Sequence, residues 1–411
     1  KAMTAPARAA VLAAAFLGMV FDGLELGLMP VASLAVSRSL MGDGYTPEWG
    51  GIWFARFTAA LMLGAAIGGI ALGDLGDRVG RSRAMGISIL SYSLFAAMGS
   101  WASTQEQMLL LRFLVGLGVG GMWPNGIALV AECWPKASKP LVSGVMAAGL
   151  NAGIFLLSQL ALQWPITPEA WRWVFQLAGA PALLGVLVLL LLPESPRWLE
   201  NRGAEKSRAV PIVGLFKPEM IWLTCVGITL SGIPMVGAWS ASKWMIPWAD
   251  DISKGIDPGY KAVIQGWWSV GAILGSLAGA QLAHLLGRRL SYFLISLAAL
   301  GSTMAMFQLT APLQAAFPKV VFLQGLASTL FFGWLAVYLP ELFPTRVRAA
   351  GSGLAYNSGR FATAFGVLAS GWVFASLGGD YPRAGTAMAW IYGFGLLAIW
   401  LAPANPSVRE R

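Results

Sequence analysis

Long runs of apolar residues, separated by short polar segments, recur along the whole chain. An α-helix rises 1.5 Å per residue, so about 20 apolar residues are enough to cross the hydrocarbon core of a bilayer. We therefore predict twelve membrane-spanning helices. They lie near residues 9–36, 51–72, 84–102, 107–131, 141–163, 172–192, 218–246, 261–284, 290–310, 318–340, 350–377 and 385–402.

The first of these runs carries two acidic residues, Asp22 and Glu25, and lacks an Ala-x-Ala-like cleavage site. We therefore expect a membrane span there rather than a signal peptide. Carboxylates inside a membrane are costly and usually face a bundle interior or a wet cavity, where they carry function. Being three residues apart, the two side chains leave the helix on nearly the same face.

The composition agrees with an all-α membrane protein. Of 411 residues, 57% are hydrophobic and 11% are charged, whereas about 25% of the residues of soluble proteins are charged. Cys133 and Cys225 lie in different halves of the chain, and His284 has no partner at ligand spacing. We therefore predict neither a disulfide framework nor a metal site.

The motifs of energy-consuming or catalytic proteins are missing from the sequence. It has no P-loop, which disfavours ATP-driven pumping, and no evident nucleophile–base pair, which disfavours an enzyme. No cofactor is expected, apart from protons as the coupling ion.

The formal net charge of +9 is distributed unevenly. If both termini are cytoplasmic, 18 of the 28 basic residues fall on the cytoplasmic side and 6 on the outer side. This bias follows the positive-inside rule and argues against a nucleic-acid partner. We expect a multi-pass protein of the plasma (inner) membrane that contacts the lipid bilayer, binds a small molecule and functions as a monomer.

Two segments of the chain repeat each other. Residues 132–135 (Glu-Cys-Trp-Pro) match residues 341–344 (Glu-Leu-Phe-Pro), 209 positions later, and Gly80-Arg81 matches Gly287-Arg288. The repeat predicts two pseudo-symmetric six-helix halves in the same orientation, residues 1–192 and 218–411, joined by a cytoplasmic linker at 193–217. Such transporters bind substrate between the halves, near the midplane.

Four motifs carry a family resemblance. They are Gly73–Arg83 (GDLGDRVGRSR), Arg112–Gly121 (RFLVGLGVGG), Pro193–Leu199 (PESPRWL) with Pro340–Thr345 (PELFPT), and Asp22–Glu25 (DGLE). Together they resemble the major facilitator superfamily. The closest likeness is to its branch of sugar porters, organic-ion carriers, aromatic-acid/proton symporters and synaptic-vesicle-glycoprotein-2-like proteins. The resemblance implies twelve helices and transport by alternating access.

The resemblance also implies that Arg112 in the fourth span lies near the first-helix acid, here Asp22. A cation and burial shift the proton affinity of a carboxylate in opposite directions, so a change in their balance can couple transport to protons. We assign Asp22, Glu25 and Arg112 to proton coupling. The alternatives are a structural ion pair for Asp22 and Arg112, and a Glu25 side chain that binds substrate or reaches the outer surface.

Arg360 lies about ten residues into the eleventh span, near mid-membrane, and has no partner on its own helix. An offset of 209 residues places it opposite Asn151 of the first half. The planar guanidinium suits a carboxylate, and organic-anion carriers of this branch also have an arginine on helix 11. We predict that Arg360 binds an anionic substrate, unless it pairs with Asp22 or Glu25.

Further polar and aromatic residues of the spans are predicted to line the substrate cavity. They are Trp123, Asn125, Asn151, Trp239, Gln265, Trp267, Tyr356 and Asn357. Packing or an interfacial belt is the alternative for any single aromatic residue. Lys243 and Arg56 are expected to extend toward the membrane surface.

Charged residues near the cytoplasmic ends of the spans are predicted to form a gate that breaks when the halves move apart. They are Asp77, Arg78, Arg81, Glu132, Arg197, Glu341 and Arg346. The alternative is a set of basic loops that only orient the protein. Since His284 replaces the repeat counterpart of Asp77, we expect a weaker latch in the second half.

These residues predict a secondary transporter that moves a small organic anion, such as an aromatic or other monocarboxylate, together with protons. Three alternatives stay open: a proton-coupled sugar or polyol symporter, an organic-cation carrier that uses the acids and tryptophans as ligands, and a membrane receptor that does not transport.

Overall fold

The computed structural model describes residues 3–134, 138–201, 212–344 and 347–403, and these ranges contain helices and no strand. The first half comprises α1 (Ala5–Met41), α2 (Pro47–Val79), α3 (Arg81–Met98), α4 (Gln105–Cys133), α5 (Lys139–Gln163), α6 (Arg172–Ala178) and α7 (Ala182–Leu191). A short α8 (Pro196–Asn201) follows. The second half comprises α9 (Ile221–Ser240), α10 (Met245–Ile252), α11 (Tyr260–Leu285), α12 (Arg288–Gln308), α13 (Phe317–Leu342), α14 (Arg348–Ser376) and α15 (Tyr381–Ala398).

Eleven helical stretches within the described ranges are long and apolar enough to cross a membrane. The remaining long helix, α14, has 29 residues, which also exceeds the roughly 20 needed, although Arg360 and many small residues make it less apolar. The all-α, twelve-span prediction is confirmed. The helices α1 and α2 have 37 and 33 residues and extend beyond their predicted spans.

Two spans are interrupted. The sixth consists of α6 and α7, separated by Gly179–Pro181, and the seventh consists of α9 and α10, joined by a 3₁₀ turn at Ser242–Trp244. A helix can break inside a membrane only where its freed backbone groups find partners within the protein. The break in the seventh span is fully buried, and it aims Lys243 differently from a continuous helix.

The two halves have matching internal packing. The helix pair α2–α4 in the first half corresponds to α11–α13 in the second, and both pairs pack closely through glycines. The turns that precede α3 and α12 are also equivalent, since Gly80 and Gly287 have φ of 115° and 79°, values that favour glycine. This agreement supports the predicted pseudo-symmetry. The exact limits at 192 and 218 stay a prediction.

The halves meet mainly through α5 against α11 and α2 against α14. Consecutive spans alternate in direction, so the bundle has two ends. We call the end with the α2–α3 and α11–α12 turns the basic end, because Arg78, Arg81, Arg288 and Arg289 lie there. The other, with the α1–α2 turn, is the opposite end.

Candidate transport site

A cavity of about 120 Å³ lies between the halves. Apolar side chains such as Met62, Val119 and Ile154 form part of its wall. Its charged, polar and aromatic lining residues are Asp22, Trp123, Asn151, Trp239, Lys243, Trp268, Ser276, Thr329, Phe332, Tyr356, Arg360 and Thr363. Both halves therefore contribute to one largely apolar chamber that holds three ionisable side chains.

Asp22 and Arg360 enter this cavity from opposite halves. The Asp22 side chain is 2% exposed, and its Oδ1 atom has no hydrogen-bond partner among the described residues. Arg360 Nη1 donates to the backbone oxygens of Ala65 and Gly120 at 3.2 and 3.3 Å, which ties α14 to the first half. The carboxylate of Asp22 interacts electrostatically with Arg360. An acid and a cation thus face one ligand-sized space.

Arg112 hydrogen-bonds to Glu25, not to Asp22. Its Nη2 donates to Glu25 Oε2 at 3.2 Å, and both side chains are about 1% exposed. Three residues on a helix amount to about 60° of rotation, enough to turn Glu25 toward α4 while Asp22 faces the cavity. The predicted proximity of Arg112 and Asp22 therefore identified the correct helices and the wrong acid. Glu25 does not line the cavity.

Lys243 is buried in the cavity wall, so the expectation that it extends to the membrane surface is wrong. Its exposed fraction is 1%, and its Nζ lies 3.2 Å from the centroid of the Trp268 ring and 5.8 Å from that of Trp239. The break in the seventh span accounts for this direction. The guanidinium of Arg56 lies 4.7 Å from the ring centroid of Trp53, and its role as an interface anchor stays a prediction.

Five of the nine predicted substrate contacts line the cavity, and their roles stay predictions. They are Trp123, Asn151, Trp239, Tyr356 and Arg360. Asn151 also joins the halves, since its Nδ2 donates to Ser276 Oγ on α11 at 3.1 Å.

The other four predicted contacts lie elsewhere. Asn125 donates to the backbone oxygens of Leu72 and Gly121, both at 2.9 Å, so it packs α4 against α2. Trp267 is 44% exposed on the outer surface of the bundle. Gln265 is buried near Gly27 of α1. Asn357 lines a second cavity toward the basic end. Position along a span cannot distinguish these faces of a helix.

That second cavity, which we call the inner vestibule, measures about 300 Å³. Trp123, Phe332, Tyr356 and Arg360 line both spaces and therefore form the partition between them. The Trp123 and Tyr356 rings are nearly parallel, with centroids 6.2 Å apart and an interplanar angle of 2°. Trp123 belongs to the first half and Tyr356 to the second, so the partition is a contact between halves.

At the basic end, the predicted gate residues form clusters within each half. In the first half, Arg81 pairs with Asp77 and lies 3.8 Å from Glu132, which accepts a hydrogen bond from Ser195. Arg78 pairs with Asp74 at 2.7 Å. Glu194, which the sequence did not single out, accepts from the backbone of Ser82 at 3.1 Å.

The second half has its own pair, in which Arg288 binds Glu341 through two hydrogen bonds of 2.7 and 2.8 Å. The described ion pairs at the basic end therefore do not cross between halves. Arg346 lies outside the described residues, as does the side chain of Arg197. The assignment of these residues to a gate stays a prediction.

At the opposite end, ion pairs do cross between the halves. Arg38 at the end of α1 lies 3.7 Å from Asp250 and 3.6 Å from Asp251 of α10. Lys261 of α11 lies 3.1 Å from Asp250 and donates to the backbone oxygen of Ile166 at 2.9 Å. We call these four charged residues the outer latch. Arg38 and Lys261 are two of the six basic residues that the predicted topology places on the outer side, and the sequence did not pair them with Asp250 or Asp251.

Tyr45 lies beside the outer latch, with the Arg38 guanidinium 5.5 Å from its ring centroid. Burial is the main influence on its phenol and raises its pKa above the usual value of 10.0. Tyr45 therefore remains neutral at physiological pH and contributes no charge to the latch.

A central cavity between two six-helix halves, with interhalf contacts at its two ends, is the architecture of a membrane transporter. A sequence profile of the Major Facilitator Superfamily matches residues 10–252. The chain belongs to this superfamily of multi-pass membrane transporters, and it is not an enzyme.

Several characterised proteins are similar over most of the chain. The cis,cis-muconate transport protein of Acinetobacter baylyi is 29% identical over 87% of this chain and 86% of its own length. The gallate transporter of Pseudomonas putida is 28% identical, covering 90% and 86%. The crystal structure of a D-xylose–proton symporter superposes with a TM-score of 0.72 at 17% identity and covers 98% of both chains, which confirms the fold.

Proposed function

We propose that this protein imports a small organic carboxylate together with protons, with Arg360 as the anion-binding residue and Asp22 as the proton carrier. The observation that carries the proposal is the placement of both side chains, from opposite halves, in one buried cavity. Ionisable residues inside a membrane bundle mark substrate and ion pathways.

Competition for Arg360 supplies the coupling. When Asp22 is ionised, it offers Arg360 a negative charge and repels an incoming carboxylate. When Asp22 takes up a proton, that repulsion ends and Arg360 can bind the substrate through two parallel hydrogen bonds. Proton and anion then bind together, and release of either one toward the cell interior favours release of the other.

The similar proteins support an organic anion as cargo, because the names of two of them specify muconate and gallate. The cavity suits a ligand with a planar apolar body, since Trp123, Trp239, Trp268 and Tyr356 line it together with Asp22 and Arg360. An organic-cation carrier is disfavoured, because two basic residues, Arg360 and Lys243, line the same chamber.

We assign the basic end to the cytoplasm on the positive-inside rule, and we assign the protein to the plasma (inner) membrane. In this assignment, the outer latch closes the external side, and the partition of Trp123 and Tyr356 is the last barrier toward the inner vestibule. Transport alternates between breaking the latch and breaking the partition. The Glu25–Arg112 pair holds α1 to α4, so that the first half moves as a unit.

Uptake into proteoliposomes tests the proposal directly. Labelled cis,cis-muconate and gallate are offered with and without an inward proton gradient, to the wild type, Asp22→Asn and Arg360→Met. We expect the wild type to accumulate at least one acid when the proton gradient is present. Asp22→Asn should abolish this accumulation, and Arg360→Met should abolish binding of the acid.

Two exposed residues provide matched controls. Asp43 is exposed in the α1–α2 turn, and the Arg383 side chain is 74% exposed, so Asp43→Asn and Arg383→Met should transport normally. If the uptake of labelled acid is the same with and without the proton gradient, and the same in Asp22→Asn as in the wild type, proton coupling is refuted. Carboxylate binding that survives Arg360→Met would refute the anion site.

A further inference from the structure

The cavity contains more basic side chains than a monocarboxylate can pair with. Arg360 and Lys243 both line it, and Asp22 is the one acidic residue that lines this cavity among the described residues. In the proposed function, Asp22 is protonated when substrate is bound, which leaves both basic groups without an acidic partner in the cavity. A bound ligand with two carboxylates would supply a negative partner for each basic group, as buried charged groups need.

The Lys243 ammonium group has no internal partner that would remove this need. Its Nζ atom donates to no hydrogen-bond acceptor among the described residues, although the side chain is only 1% exposed. An ammonium group carries three N–H donors. The Trp268 and Trp239 rings, 3.2 and 5.8 Å from Nζ, stabilise its charge through cation–π contacts but provide no oxygen acceptor.

The two cations enter the cavity at different depths. Trp244, the residue after Lys243, donates from Nε1 to Ser370 Oγ on α14 at 3.0 Å. Ser370 is ten residues beyond Arg360 on that helix, a rise of about 15 Å. Arg360 lines both the central cavity and the inner vestibule, whereas Lys243 lines only the central cavity. This difference in depth suits a ligand that carries a negative charge at each of its two ends.

We propose that Lys243 is a second anion-binding residue and that the cargo is a dicarboxylate with a carboxylate at each end. Arg360 binds one carboxylate and Lys243 binds the other, with the planar body between the tryptophans. This inference rests on the proposed function, since it needs Arg360 as an anion site and Asp22 in its protonated form.

Two acids of matched shape test the inference on the unmodified protein. trans,trans-Muconate and sorbate share the same six-carbon diene, and sorbate has a methyl group where muconate has its second carboxylate. Binding to purified protein is measured by titration calorimetry. We expect muconate to bind about 30-fold more tightly, as suits a charged hydrogen bond in a buried site.

Lys243→Met keeps an unbranched side chain as long as that of lysine up to Cε and removes the amino group. In this variant, we expect muconate affinity to fall about 30-fold and sorbate affinity to stay within about threefold of the wild type. Lys243→Arg should retain a preference for muconate, and Arg360→Met should weaken both acids. Size-exclusion profiles and thermal unfolding establish that each variant is folded.

The outcomes separate the two proposals. If the wild type binds sorbate as tightly as muconate, the second anion site is refuted while the carboxylate transporter stands. If folded Lys243→Met weakens both acids equally, Lys243 has a structural role and the inference also fails. If neither these acids nor cis,cis-muconate and gallate bind the wild type, the proposed function itself is refuted.

Discussion

Arg112 Nη2 donates to Glu25 Oε2 at 3.2 Å in a site where both side chains are about 1% exposed. The pair links α1 to α4 inside the first half, and Arg112 also lies 5.6 Å from the ring centroid of Phe175. Two opposite charges buried together are tolerated because each compensates the other, and loss of either one leaves an uncompensated charge.

Removing one member of this pair should therefore destabilise the protein strongly. We expect Glu25→Gln to lower the free energy of unfolding by about 3–5 kcal/mol. The double variant Glu25→Gln with Arg112→Gln should recover part of that loss, because no charge remains buried. Reversible unfolding of the purified protein in mild detergent measures both. Equal stability of Glu25→Gln and the wild type would contradict a buried ion pair.

Asp22 should behave differently from Glu25, because it faces the cavity and has no salt-bridge partner within the described ranges. Asn at this position imitates the protonated acid. We therefore expect Asp22→Asn to exchange labelled for unlabelled substrate across a membrane while failing to accumulate it against a gradient. Counterflow in proteoliposomes distinguishes the two. If Asp22→Asn abolishes exchange as well, Asp22 is needed for substrate binding or movement rather than for coupling alone.

Glycine packing between α2 and α4 gives a prediction about stability. A Cβ atom at Gly68 would lie 2.0 Å from the backbone oxygen of Leu117, whereas one at Gly301 would meet nothing within 4 Å. Both positions are helical. We expect Gly68→Ala to destabilise the bundle, because a backbone must shift to admit the methyl group, and Gly301→Ala to be neutral or stabilising by up to about 1 kcal/mol.

Thermal unfolding of the two alanine variants beside the wild type measures this difference. Because the chemical change is the same at both sites, the contrast isolates the close approach of the two helices. A Gly68→Ala protein as stable as Gly301→Ala would show that α2 and α4 can separate at little cost.

The helical architecture was predictable from the sequence because the bilayer allows few solutions for runs of apolar residues. The repeat of Glu132 and Glu341 indicated the pseudo-symmetry, and the intramembrane positions of Asp22 and Arg360 indicated the cavity. Each of these signals depends on the chain position or on the presence of a charge. None of them requires knowledge of how a helix is rotated about its axis.

The errors arose where rotation or a helix break decides the contact. The partner of Arg112 depends on a difference of about 60° around α1, which the DGLE motif does not reveal. Lys243 points inward because the seventh span breaks at residues 242–244, and apolar periodicity gives no sign of that break. Trp267 and Asn125 were placed in the cavity by depth alone, and they lie on the wrong faces of their helices.

The outer latch should control which side of the transporter is open. Arg38 lies 3.7 Å from Asp250, and Lys261 lies 3.1 Å from the same residue, so Asp250 connects both bases. We expect Asp250→Asn to weaken the external closure and to shift the protein toward an outward-open state. Spin labels attached to cysteines at the exposed positions 43 and 254, one in each half, report the separation of the halves by pulsed electron paramagnetic resonance.

The expected result is a larger population of long distances in Asp250→Asn than in the wild type. The exposed ion pair of Arg383 and Asp380 lies at the N-terminus of one helix, α15, and does not connect the two halves. Asp380→Asn therefore provides a control that should leave the distances unchanged. Raising the salt concentration should produce a weaker shift in the same direction, because Arg38 is partly exposed and its pairs are open to screening. A distance distribution unaffected by Asp250→Asn would show that apolar packing, not these charges, keeps the external side closed.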